Sequence, residues 1–189
     1  MKTKNGKEKI AWTAKELAKI ALFVGLAIGA QYVLSAVPGV EIVTLLFAVF
    51  SFVYGCIRGA VAAVAFALLR SLLFGFFPTV ILLYLLYYPL LGCVFGLLGR
   101  WMRTWKSGAK KEVLTVVFAV ALACVGVAVF TMLDNLLTPW LLAYTKRAAM
   151  LYFQASIPTM LLQMLCVSVS IGALFYPLVK ALQSLQKNS

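Results

Sequence analysis

The chain has 189 residues, of which 64% are hydrophobic and only 12% are charged, yet its formal net charge is +12. A soluble protein of this length cannot cover so much apolar surface with so few polar groups, so the composition excludes the soluble globular class and indicates a multi-pass protein of the cell membrane. The apolar runs leave no room for a soluble catalytic or nucleotide-binding domain, and the chain has no G-x-x-x-x-G-K-[ST] phosphate loop. We therefore expect one integral membrane domain over residues 1–189.

Six apolar runs, most of them close to the ~20 residues that a membrane-spanning helix needs, predict an all-α bundle with six transmembrane helices. The first run ends at the turn-forming triplet Val37-Pro38-Gly39, and Pro89 predicts a kink in the fourth. A short turn around Arg58 separates the second run from the third. The predicted helices cover residues 14–36, 40–56, 59–74, 79–99, 112–133 and 156–182.

The segments between these runs differ in composition. Residues 100–111 form a predicted basic loop, whereas residues 134–155 mix polar and apolar residues and have room for a short interfacial helix. The basic residues 1–9 precede an apolar run that lacks a clean cleavage site, so we interpret that run as a retained first span and not as a cleaved signal peptide.

The distribution of positive charge predicts the orientation of the bundle. An even number of spans puts both termini on one side, and that side then holds 14 of the 17 basic residues. Only Arg70, Lys146 and Arg147 fall towards the other side. By the positive-inside rule both termini are predicted to be cytoplasmic. The basic residues then fix topology and meet anionic lipid, and we expect no nucleic-acid partner.

The residue types that are missing argue against an enzyme. The chain has no histidine, and Asp134 is its only aspartate, so a Ser-His pair and a two-aspartate site are both impossible. Cysteines occur singly in apolar runs, at Cys56, Cys93, Cys124 and Cys166, and are predicted to pack as small apolar residues. We expect no catalytic residue, no cofactor and no metal site.

Small residues at four-residue spacing form three ladders that would let helices approach closely. The first consists of Ala21, Gly25 and Gly29 in helix 1. The other two are Gly55, Gly59, Ala63 and Ala67 across helices 2 and 3, and Gly92 and Gly96 in helix 4. Spacing alone does not decide which ladder packs within the bundle and which one faces a partner.

Charged and aromatic residues gather at the predicted outer ends of the helices. Charged groups within spans are costly and tend to face a cavity or one another, so these side chains are predicted to converge on one outward-facing pocket. A structural salt bridge from Arg70 to Glu41 or Asp134 is the alternative for the charges, and interfacial belts are the alternative for the aromatic rings. The candidate ligand contacts are Glu41, Arg70, Tyr84, Asp134, Asn135, Trp140 and Tyr144.

The order of several short motifs resembles a known family. The basic tail and helix 1 ladder precede Val37-Pro38-Gly39-Val40-Glu41, and helix 4 carries Tyr88-Pro89-Leu90-Leu91-Gly92 with Gly96 and Gly99. Ser156-Ile157-Pro158 and Leu174-Phe175-Tyr176-Pro177-Leu178 follow. Together these resemble the substrate-binding S components of energy-coupling factor (ECF) transporters, the vitamin-uptake branch of ABC importers.

The resemblance implies a six-helix protein that binds a vitamin or related micronutrient near the outer face. It also implies docking on a transmembrane coupling subunit that carries two ATPase subunits, through a small-residue motif that matches Ala21 and Gly25 here and extends to Gly29. The loops that would close over the ligand are residues 37–41, 75–78 and 134–155. The pocket residues of S components vary, so the resemblance does not identify the vitamin.

Substrate capture for an ECF importer, as the resemblance implies, is thus the leading interpretation, because the helix 1 ladder and the outer polar residues occur in a chain that lacks an ATPase motif and a histidine proton relay of its own. The alternative is a stand-alone small secondary transporter or channel, although no internal repeat typical of such transporters is evident. A membrane enzyme is disfavoured by the missing residue types, and a purely structural protein leaves the outer charges unexplained.

Overall fold

The computed structural model describes residues 12–34, 42–105 and 108–187. These residues form an all-helical bundle and contain no β-strand. The chain order of the elements is α1 Ala14–Leu34, α2 Val43–Tyr54, α3 Cys56–Phe74, α4 Pro78–Arg103, α5 Ala109–Leu141 and α6 Lys146–Lys187.

Five of the six helices are long and apolar enough to cross a membrane, which indicates a multi-pass membrane protein. The exception is α2, whose 12 residues rise about 18 Å, against a hydrocarbon core of about 30 Å. Ten of those residues are buried, so α2 is the central helix of the bundle. The predicted start of this helix, at residue 40, lies outside the described residues.

The connection between α2 and α3 is a single residue. We expected a turn around Arg58 and a third helix from residue 59, and this prediction is wrong because α3 begins at Cys56 and contains Arg58 in its first turn. Gly55 makes the turn alone, with a φ of 92°. Glycine adopts this conformation without the steric penalty of a Cβ, so no polar loop is needed.

The segment 134–155 was expected to be mixed in composition with room for a short interfacial helix, and the resemblance made it a loop over the ligand, but most of it belongs to two long helices. Helix α5 continues through Asp134 to Leu141 and α6 begins at Lys146, so the connection covers only residues 142–145. The hydroxyl of Thr138 donates a hydrogen bond to Asp134 Oδ1 at 2.7 Å, which keeps that carboxylate paired within the helix. The basic loop is also shorter than predicted, because α4 extends to Arg103 and α5 starts at Ala109.

Helices α3 and α4 pack backbone to backbone. A Cβ added at Gly92 would lie 3.0 Å from the carbonyl carbon of Gly59, and one at Gly96 would overlap the backbone of Gly55 and Cys56. Gly99 lies equally close to α2, at the carbonyl of Phe52. Both glycines of the third ladder, and Gly59, Ala63 and Ala67 of the second, therefore pack inside the bundle, whereas a Cβ added at Gly55 would meet nothing within 4 Å in the described structure.

Aromatic rings fill the core between α2, α3 and α4. The ring centroids of Phe47, Phe66 and Tyr88 lie 5.0–5.2 Å apart, and all three side chains are fully buried. Helix α5 pairs with α6, and α6 packs on α2. Helix α1 packs on α2 and α3, and within the described residues its backbone does not come close to that of α6.

Ion pairs and hydrogen bonds define the end of the bundle that we call the basic end. Arg58 Nε lies 2.6 Å from Glu16 Oε2, which ties the start of α1 to the start of α3. Arg103, in the last turn of α4, donates a hydrogen bond of 2.5 Å to the carbonyl of Val53 in the last turn of α2. The other end, with the end of α3 and the start of α4, is called the opposite end.

Candidate functional site

Three polar side chains from three helices meet at the opposite end. The guanidinium carbon of Arg70, on α3, lies 4.2 Å from the ring centroid of Tyr84, on α4, and 5.5 Å from that of Phe74. Gln31 on α1 donates a hydrogen bond of 3.1 Å to the Tyr84 hydroxyl oxygen. A guanidinium stacked on a tyrosine ring gains a cation–π interaction while its planar donors stay available.

Arg70 forms no ion pair with any residue in the described segments. Its Nε is shielded from solvent and has no hydrogen-bond partner there. A bridge to Asp134, one of the two structural alternatives, is therefore not formed. Glu41, the other proposed partner and a candidate ligand contact, lies outside the described residues. Tyr84 instead supports the guanidinium through its ring face.

A second polar cluster joins α5 to α6. The Tyr152 hydroxyl donates a hydrogen bond of 2.6 Å to Asp134 Oδ2, and Asn135 Nδ2 donates one of 2.8 Å to the Ser156 hydroxyl oxygen. The ring of Tyr144, in the connection between the helices, packs edge-on against Tyr152 with centroids 6.0 Å apart. Three of the predicted contacts, Asp134, Asn135 and Tyr144, therefore belong to one cluster.

This cluster borders a crevice of about 280 Å³ between α5 and α6, close to the lower limit of roughly 300 Å³ for small-molecule sites. We call it the α5–α6 crevice. Its lining is Phe130, Thr131, Asp134, Tyr152, Ala155, Ser156, Thr159, Met160 and Gln163. Hydroxyls, an amide and one carboxylate face an otherwise apolar space, which suits a small organic molecule with polar groups at its edge.

Phe130 connects the two clusters. Its ring packs edge-on against Tyr84, with centroids 5.9 Å apart, and it also lines the α5–α6 crevice. The arrangement offers a guanidinium donor on one side, an acidic acceptor on the other and aromatic faces between them. These groups can bind and orient a molecule with flat rings and polar substituents.

Trp140 belongs to neither cluster. It lies in the last turn of α5 with 76% of its surface exposed, so the described structure does not place it against the other candidate contacts. Its position at a helix end matches the alternative of an interfacial belt.

Two residues of these clusters, Gln31 and Tyr152, were not among the ligand contacts predicted from the sequence. Gln31 carries the only side-chain amide of α1, in an otherwise apolar run, and that isolation was the signal that could have identified it. Tyr152 stood in a segment interpreted as mixed. Its approach to Asp134 depends on the helical register of both α5 and α6, which the sequence pattern did not give.

The first ladder lies on the outside of the bundle. Ala21, Gly25 and Gly29 are exposed, whereas the buried positions of α1 are Ile20, Phe23, Val24 and Ala27. A Cβ added at Gly25 or Gly29 would meet nothing within 4 Å. We call this surface the α1 small-residue face.

The cysteines include one close pair that the sequence spacing did not reveal. The α3–α4 crossing brings Cys56 Sγ and Cys93 Sγ to 2.7 Å. Within the described part of the chain, no three Cys, Asp or Glu side chains are close enough to share a metal ion.

Comparison with protein families, with curated proteins and with solved structures finds no match for this chain.

Proposed function

We propose that this chain is the membrane-embedded substrate-capture subunit of an ECF-type ABC importer. It binds a vitamin or related micronutrient at the opposite end of the bundle and passes it inward by docking on a coupling subunit that separate ATPases power. The basic end is then cytoplasmic, in keeping with the positive-inside rule, and the opposite end faces outward.

The observation that carries the proposal is the exposure of the α1 small-residue face. The small residues of α3 and α4 pack within the bundle, whereas a Cβ added at Gly25 or Gly29 would meet nothing within 4 Å in the described structure. A smooth, unoccupied helix surface of this kind lets another transmembrane helix approach closely. This is the surface that the resemblance assigns to docking.

An apolar groove beside this face supports the same interpretation. It lies between α1 and α6, over α2, and has a volume of about 460 Å³. Leu22 and Leu26 line one wall, and Leu182 and Leu185 line the other. A helix of the coupling subunit that contacts Gly25 could therefore also pack its larger apolar side chains into this groove.

The two polar clusters at the opposite end support ligand capture. Arg70 has no anionic partner within the described residues, and Asp134 retains acceptor capacity after binding Thr138 and Tyr152. A ligand with an anionic or carbonyl oxygen could accept hydrogen bonds from Arg70, and a donor group on the same ligand could bind Asp134. These are common features of vitamins with flat heterocyclic rings.

The test is a bulky substitution on the α1 small-residue face. Gly25→Leu places a branched side chain where a partner helix would approach, so we expect uptake by the assembled importer to be lost while ligand binding is retained. Gly172→Leu is the matched control, because Gly172 is also an exposed helical glycine with nothing within 4 Å but lies on α6. Normal uptake by the Gly25→Leu protein would refute the docking role.

Arg70→Ala tests the ligand side separately. If the guanidinium contacts an anionic or carbonyl oxygen of the ligand, its removal weakens binding by about tenfold or more, since hydrogen bonds to charged groups contribute roughly 1.5–3 kcal/mol. Isothermal titration of the detergent-solubilised protein measures the change. Unchanged affinity would assign Arg70 to structure alone.

A further inference from the structure

A second crevice lies at the basic end, between the start of α3 and the end of α4. Its volume is about 380 Å³, and its lining includes three arginines, Arg58, Arg100 and Arg103, but no carboxylate from the described part of the chain. We call it the arginine crevice. It is remote in the fold from the α5–α6 crevice and does not depend on the proposed transport role.

The three arginines differ in how much of their charge is already paired. Arg58 is ion-paired to Glu16, and Arg103 donates to backbone carbonyls at the end of α2. Arg100 is exposed and has no hydrogen-bond or ion-pair partner in the part of the chain that the structure describes. Among the described residues, the lining of the crevice carries three cations, of which only Arg58 is ion-paired, so an excess of positive charge surrounds an open space.

Exposed apolar side chains continue from this crevice along the seam between α3 and α4. Ile57 and Leu97 line the crevice and are about half exposed. Further along the same faces, the exposed residues are Val61, Val64 and Leu68 on α3 and Val94, Leu90 and Leu86 on α4. Spacings of three and four residues keep each set on one side of its helix.

We propose that the arginine crevice binds the phosphate of an anionic phospholipid, whose acyl chains lie along the α3–α4 apolar seam. Guanidinium groups match the geometry of phosphate oxygens and form paired hydrogen bonds with them. A polar crevice at the end of an apolar seam matches a lipid, which has a polar headgroup joined to apolar chains. A free anion would contact only the crevice. The charge of the crevice selects an anionic headgroup over a zwitterionic one.

The experiment is native mass spectrometry of the delipidated full chain in detergent. Phosphatidylglycerol, phosphatidylcholine with identical acyl chains, and inorganic phosphate are titrated separately. We expect one phosphatidylglycerol to be retained more tightly than phosphatidylcholine, and no retention of phosphate. Equal retention of the two lipids would overturn the proposal, and stoichiometric binding of phosphate alone would make the crevice a free-anion site instead.

Charge variants locate the binding to this crevice. Arg100→Gln should weaken phosphatidylglycerol binding about fivefold, since one basic residue near an anionic lipid contributes about 1 kcal/mol. Two exposed residues outside the crevice serve as controls: Lys110, at the same end, and Arg147, which matches the residue type at the other end. Equal weakening by Lys110→Gln and Arg147→Gln would show a general surface-charge effect and refute the site.

Discussion

From the close crossing of α3 and α4 we predict how much stability the substitution Gly96→Ala costs. A Cβ at this position would overlap backbone atoms of Gly55 and Cys56, which cannot rotate away as a flexible side chain can. Overpacking of this kind costs about 1–3 kcal/mol or more, against a gain of about 1 kcal/mol from replacing a helical glycine by alanine. Because the contact is with backbone, we place the cost near its upper end and expect Gly96→Ala to lose about 2 kcal/mol of stability, roughly a 30-fold change in the folding equilibrium.

Gly25→Ala provides the matched comparison, because the same substitution at Gly25 meets no atom within 4 Å. It should be neutral or stabilising by up to about 1 kcal/mol. Reversible unfolding in mixed micelles with an increasing mole fraction of SDS, followed by circular dichroism, measures both free energies. Equal stability of the two variants would refute the backbone-to-backbone packing of α3 on α4.

Three further predictions test other contacts. Arg103→Gln should lower the free energy of unfolding by about 1 kcal/mol, since the end of α2 loses charge-assisted hydrogen bonds from a partly exposed donor; an unchanged SDS titration would contradict this. Diamide should oxidise Cys56 and Cys93 to a disulfide, the two thiols giving two electrons and two protons to the azo bond; peptide mapping that finds another pairing would contradict the helix register. Tyr152→Phe should weaken ligand binding about tenfold, because Asp134 loses an orienting donor of roughly 1–2 kcal/mol; isothermal titration with unchanged affinity would show that this pair is structural.

Much of the helical architecture could be predicted from apolar runs, but two junctions could not. The α2–α3 turn contains no polar residue, because a single glycine with positive φ makes it, so the visible charge at Arg58 was a misleading marker. At the α5–α6 junction the misleading signal was the presence of polar residues and not their absence. Polar residues such as Asp134 suggested an interruption, yet the helix continues to Leu141 with that carboxylate paired to Thr138 one turn later. With 42 residues, α6 is about 63 Å long, so it extends beyond a bilayer core and carries polar residues without breaking.

The candidate site was partly predictable because charge in an apolar segment is conspicuous. Arg70 and Asp134 stood out for that reason, but the sequence did not show that they belong to separate clusters on α3–α4 and α5–α6. Gln31 reaches Tyr84 across 53 positions of sequence, a contact that follows only from helix packing. The ladders illustrate the same limit. Their spacing is alike, and only the packed structure distinguishes the exposed α1 small-residue face from the ladders buried between helices.

The central claim is that the chain captures a small molecule without transporting it alone, and mass spectrometry of co-purifying small molecules tests this most directly. The full chain is solubilised from cells grown in rich medium, and the extracted ligand is identified and quantified. We predict a vitamin or related micronutrient at near-stoichiometric amount, and no uptake of it by liposomes containing only this chain. A protein that carries no ligand, or one that drives uptake alone under an ion gradient, would contradict the account.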